Sequence, residues 1–115
     1  MWNVLYTDEF EAWWETLTED EQDQITAGVE LLEEYGPNLA RPYVDTVKDS
    51  KYGNMKELRT QCHGDPFRTF FAFDPKQNAI LLIGGCKAGD KRFYKRMVPK
   101  ADKLYAEYLK EIEGE

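Results

Sequence analysis

The sequence is poor in metal-binding and thiol chemistry: two cysteines and one histidine in 115 residues. Cys62, His63 and Cys86 supply neither the four ligands nor the close spacing of a zinc site. If each cysteine ends a strand of the same sheet, the Arg68–Asp74 strand is expected between them. Free thiols are therefore expected, as in a reducing compartment. Long apolar runs are also missing. Nothing approaches the roughly 20 residues of a membrane-crossing helix, and Asp8, Glu9 and Glu11 stand where a signal peptide would carry its apolar region. A cytoplasmic protein without membrane attachment is the expectation. No repeat, low-complexity linker or internal boundary breaks the chain, so residues 1–115 read as one domain. With 42% hydrophobic and 14% aromatic residues, the chain can bury a core and is not of the disordered class.

Positive charge is scarce overall: the net charge is −7, which argues against indiscriminate nucleic-acid binding. Its distribution is uneven. Residues 1–47 hold 12 acidic side chains against the single Arg41, whereas residues 48–105 hold 13 basic against 6 acidic. Charge segregating along solvated helices would give such a pattern; so would a two-faced domain whose basic half meets an anion.

Along the chain, Trp2–Tyr6 reads as a short strand. Thr7 is placed to cap a helix carrying Phe10, Trp13, Trp14 and Leu17, which pack onto a sheet. Thr18-Glu19-Asp20-Glu21 is a capping box opening a second helix, which Gly36-Pro37 stops. Residues 38–53 read as a long connection, since Pro42 and Gly53 disfavour a helix. Met55–Cys62 and Arg68–Asp74 form a hairpin around a turn at His63-Gly64-Asp65-Pro66. Ala79–Ile83 is a near-continuous apolar strand, Gly84–Lys91 a loop, and the region from Phe93 a helix interrupted near Pro99. The expected architecture is α+β: a small antiparallel sheet packed against two N-terminal helices and a C-terminal helix, in the order β-α-α-β-β-β-α.

One nucleotide motif is excluded. Gly84 and Gly89 give G-x-x-x-x-G between strand and helix, yet Asp90 and Lys91 follow where a P-loop needs Lys and then Ser or Thr. A Cys62/His63 nucleophile is also disfavoured, because neighbours in extended chain point to opposite faces. The remaining chemistry sits on the hairpin and beyond it: Arg59, Arg68, Lys87, Lys91, Arg92 and Tyr94, with Lys56 and Glu57. Arg59 and Arg68 on neighbouring strands could bracket one phosphate, since a guanidinium grips two oxygens in a planar fork. A lysine could be a base if nearby cations lower its pKa. Tyr94 could stack on a base or position a proton. Thr69, Phe71 and Phe73 read as the core face of their strand, so Arg68 on the alternate face is expected at the surface. Solvent-facing charges balancing Glu57, Asp65 and Asp90 would give the same residues.

NMKELR, then RTFFAFDP, then GDKRFY resemble the HigB-like, phage-derived branch of the RelE/ParE toxin superfamily. The similarity runs from about Ala40 to Tyr105. It implies the toxin of a type II toxin–antitoxin pair: an mRNA endonuclease that cuts on the ribosome by 2′-hydroxyl attack and needs no cofactor or metal. A cognate antitoxin, of helix-turn-helix type, is the implied partner. Matched by motif, the catalytic candidates are Arg59, Arg68, Lys91 and Tyr94. Lys56, Lys87 and Arg92 are the RNA-binding candidates. The acidic balance keeps a second implication open: a non-catalytic, ParE-like inhibitor of DNA gyrase, or an inactivated toxin-fold binding protein.

Overall fold

The computed structural model describes residues 1–114. Five strands, β1 (Asn3–Tyr6), β2 (Val44–Thr46), β3 (Met55–Cys62), β4 (Asp65–Phe73) and β5 (Asn78–Cys86), form one sheet in the order β1-β5-β4-β3-β2. β1 runs parallel to β5, and every other pair is antiparallel. Helices α1 (Asp8–Trp14) and α2 (Glu19–Tyr35) precede β2, and α3 (Phe93–Glu113) follows β5. Among the described residues, no helix is long and apolar enough to cross a membrane.

The N-terminal helices begin where their caps dictate. Thr7 Oγ1 accepts from the Phe10 amide at 3.0 Å. Thr18 and Glu21 exchange both bonds of the capping box. α2 ends at Gly36, whose φ of 54° favours glycine. A Cβ there would also lie 2.2 Å from Trp2 Nε1.

Several boundaries differ from the sequence reading, and α1 ends at Trp14, before the Leu17 expected on it. The 38–53 connection contains β2, because Val44 is buried and three residues suffice for an edge pairing with Lys56–Leu58. The turn between β3 and β4 is His63-Gly64 alone, both at positive φ as a two-residue hairpin requires. Asp65 and Pro66 therefore already pair with β3. Gly84-Gly85-Cys86 belongs to β5 rather than to a loop. A Cβ at Gly84 would strike the Trp13 ring of α1 at 2.3 Å, and one at Gly85 would lie 2.9 Å from the Phe93 ring of α3. The two glycines admit aromatic rings from opposite faces. Finally, α3 continues through Pro99. That residue is exposed, so the Lys95 carbonyl that loses its i+4 amide need not be buried.

The sheet is covered on both sides. Leu58, Phe71, Ala79 and Leu81 pack against Phe10 and Leu32 of α1 and α2. Met55, Phe70, Ala72, Ile80 and Leu82 pack against Phe93, Met97, Val98, Ala101 and Tyr105 of α3. β4 is thus central and buried on two faces. Cys62 and Cys86 are both free, with β4 lying between their strands.

Candidate functional site

Register decides which charged groups share a face. Arg59 stands directly opposite Arg68 across β3 and β4, and Glu57 stands opposite Phe70. Since Phe70 packs under α3, Glu57, Arg59 and Arg68 all lie on the α3 face. Lys56 pairs with Phe71 and Thr46 and faces the other way, where its Nζ donates to Thr46 Oγ1 at 2.9 Å. Lys56 is therefore separated from the two arginines by the sheet.

Arg68 is not at the surface. Its side chain is 6% exposed and Glu57's 9%, because α3 closes over this face as α1 and α2 close over the other. The alternation that marked Thr69-Phe71-Phe73 as core missed that Phe70 and Ala72 are core as well. Arg68 Nε lies 3.4 Å from Glu57 Oε1, and Nη1 donates to the Phe67 carbonyl at 2.9 Å. The Nε donor is buried, and among the described residues its ion pair with Glu57 takes the place of a well-formed hydrogen bond.

Tyr94, in the first turn of α3, completes the cluster. Its hydroxyl donates to Glu57 Oε1 at 2.7 Å. Burial first, and the Glu57 carboxylate second, push the phenol pKa above its ordinary value, with Arg68 opposing them. Tyr94 therefore keeps its proton at neutral pH and acts as a donor. Lys87, just beyond β5, places Nζ 5.3 Å from the centre of the Tyr94 ring, a cation–π distance. Phe93 and Phe70 hold that ring edge-on at 5.2 and 6.2 Å between centroids.

Arg68 and Tyr94 thus meet at Glu57, with Lys87 over the Tyr94 ring and Arg59 on the same sheet face opposite Arg68. Lys91 and Arg92 are exposed in the turn before α3. Among the described residues, no hydrogen bond or ion pair ties their side chains to the cluster. The turn is shaped by Asp90, which accepts from the Arg92 amide at 3.1 Å and pairs with Arg96 at 2.7 Å. Glu57 is the centre that the sequence reading left at the margin. Its signal was the alternation Glu57-x-Arg59, which puts an acid and a base on one strand face.

Other chemistry is weaker. Burial, then Glu21, Asp20 and Asp65, raise the Cys62 pKa and keep it a thiol. His63 is exposed and 3.1 Å from Asp20. Among the described residues, no three His, Cys, Asp or Glu side chains converge on a metal position.

Residues 12–106 match the family model described as phage-derived protein Gp49-like. Two relatives come from Mycobacterium tuberculosis. The candidate toxin HigB3 is 44% identical over 112 residues, 96% of each chain. The candidate toxin HigB2 is 42% identical over 104 residues, 89% of this chain but 52% of that longer protein. Among solved structures, a chain of the archaeal RelE–RelB complex of Pyrococcus horikoshii superposes with a TM-score of 0.57. It is 13% identical and the match covers 76% of this chain and 97% of that one. The RelB–RelE antitoxin–toxin complex of Methanococcus jannaschii gives the same TM-score at 11% identity, covering 79% and 99%. At such identities the likeness is one of fold.

Proposed function

Since the chain belongs to the Gp49-like family of phage-derived proteins, as a HigB-like member with the RelE fold, we propose that it is the toxin of a toxin–antitoxin pair. Its activity is cleavage of mRNA on the ribosome, carried by one domain spanning residues 1–115. The partner is a cognate antitoxin, and the working compartment is the cytoplasm. The relatives named as toxins, and the RelE neighbours solved with RelB, support this reading.

One observation carries the reading to chemistry: Arg59 and Arg68 stand directly opposite each other, with a carboxylate and a protonated phenol beside them. Like charges at opposed ladder positions repel. A phosphodiester seated near them turns that repulsion into attraction. Attack of the 2′-oxygen on phosphorus forms a 2′,3′-cyclic phosphate and expels the 5′-oxygen. The attacking hydroxyl must lose a proton and the leaving oxygen must gain one. Glu57 is nearly sealed, so it accepts the attacking proton through the half-buried Tyr94 hydroxyl, which hands its own proton to Oε1 as it takes the one from the 2′-oxygen; the leaving oxygen takes its proton from water. Arg59 and Lys87, both partly accessible, meet the charge that builds on the phosphoryl oxygens. Arg68 acts through Glu57, fixing the carboxylate from within the sheet. Lys91 and Arg92 add long-range attraction for RNA at the entrance.

The test is induction of the protein alone in cells, with mRNA 5′ ends mapped in wild type and Glu57→Gln. New in-frame cuts that vanish in the variant support the reading. Growth arrest without mRNA cuts would replace it with inhibition of gyrase.

A further inference from the structure

The Glu57 cluster does not account for all the cationic surface. Tyr94 also belongs to the rim of a concavity of about 680 Å³ between the 48–52 segment and one side of α3. Lys48, Lys51 and Tyr52 line one wall, and Lys95, Pro99 and Lys103 the other. All four lysines are exposed. Two carboxylates are present as well. Asp102 is buried and committed, accepting from Ser50 Oγ and from the Lys51 amide at 2.9 Å. Asp49 is exposed and lies in the turn at a φ of 66°.

Asp102 makes this wall a built structure. It pins Ser50 and Lys51 to α3, and Ser50 Oγ in turn receives the Tyr52 amide at 3.0 Å. The Tyr52 ring is set edge-to-face against buried Tyr105, 4.9 Å between centroids. A half-buried aromatic ring fixed from behind, facing lysines across a groove, suits single-stranded nucleic acid. Bases stack on the ring while ammonium groups follow the phosphates. From Tyr94 to Ala106 the groove follows α3 for roughly 18 Å at the helical rise.

We propose that this groove holds the single-stranded RNA flanking the scissile phosphate, with Tyr52 stacking a base and Lys48, Lys51, Lys95 and Lys103 tracking the backbone. The proposal rests on the RNA-cleaving reading and adds a binding site outside the catalytic cluster. Tyr94 joins the two, with its hydroxyl on Glu57 and its ring on the groove.

The experiment measures binding of a fluorescein-labelled single-stranded RNA dodecamer by the full chain, by anisotropy across a salt series, with gels verifying intact RNA. Lys48→Gln/Lys51→Gln/Lys103→Gln should weaken binding and lower the slope of log affinity against log salt by about 2, at about 0.7 per lost phosphate contact. Tyr52→Leu, which keeps packing against Tyr105, should weaken binding roughly tenfold with the slope unchanged. Wild-type melting temperatures in both variants make the loss local. Wild-type protein that fails to bind the RNA, or variants with wild-type affinity and slope, would overturn the proposal. So would unchanged RNA binding together with a weakened antitoxin complex, which would assign the groove to an acidic protein segment. None of these results bears on whether the wild type cuts mRNA, which the 5′-end mapping decides separately.

Discussion

Arg68→Ala is the perturbation that most directly tests the buried cluster. Arg68 and Glu57 are both nearly sealed from solvent, with Nε and Oε1 3.4 Å apart. Truncating Arg68 leaves the Glu57 carboxylate under α3 with the Tyr94 hydroxyl as its donor. Breaking one side of a buried ion pair costs about 3–5 kcal/mol. For a chain of this size that corresponds to a fall in Tm of roughly 12–20 °C, at about 4 °C per kcal/mol. Replacing both partners, as Arg68→Met with Glu57→Leu, removes the stranded charge and should recover most of the loss. The assay is thermal unfolding of wild type and Arg68→Ala, with Arg68→Met, Glu57→Leu and their double variant closed as a double-mutant cycle. A fall of under about 4 °C for Arg68→Ala, or strict additivity in the cycle, would refute the buried pair. A surface arginine in this position would cost only about 0.5 kcal/mol, so the two accounts are well separated.

Three further outcomes follow from other contacts. Tyr94→Phe removes the donor to Glu57 while keeping the ring under Lys87, so mRNA cleavage should drop roughly 10²–10³-fold with the fold retained; cleavage at the wild-type rate would remove Tyr94 from the chemistry. Burial raises the Asp74 pKa, but donors from Tyr108, Asn78 and Lys76 outweigh it and leave the carboxyl below its ordinary value. A depressed carboxyl stabilises above its unfolded value and loses that contribution as pH falls through its folded one, so Asp74→Asn should cost roughly 1–3 kcal/mol at pH 7 and progressively less as the pH falls below the ordinary carboxylate range in denaturant titrations. Gly84→Ala drives a methyl into the Trp13 ring and should cost about 1–3 kcal/mol, with partial recovery in Gly84→Ala/Trp13→Leu; a neutral Gly84→Ala in urea unfolding would contradict the close approach.

Much of the fold could be read from the chain because local signals agreed. Thr7 and Thr18 cap where their side chains predict, and the 55–74 hairpin places Arg59 across from Arg68. The order of helices and strands matches the RelE-like arrangement, with β2 added. Misreadings came where tertiary packing overrode a local pattern. β2 is three residues long, and its strand character comes from β3 rather than from its own sequence. Arg68 sits in a run, Phe67 to Phe73, that is apolar on both faces. Period-two alternation cannot name the solvent side of such a strand, because neither side is solvent. The Gly84-Gly85 pair looked like a loop because its reason lies in two rings, Trp13 and Phe93, distant in sequence. The Tyr52 groove was legible only as Lys48 and Lys51 lying near the hairpin. Its other wall is contributed by α3, about 50 residues later.

The parallel pairing of β1 with β5 has a consequence for the timing of synthesis. Tyr6 finds its partner, Leu81, only after about 75 intervening residues have been made. At ribosomal rates of about 5–20 residues per second, the first strand waits roughly 4–15 s for its neighbour. Tyr94, which completes the cluster around Glu57, is made later still. A nascent chain released early would therefore carry acidic helices and unpaired strands but no assembled cluster around Glu57. The connectivity of the sheet delays any toxicity until most of the chain has left the ribosome.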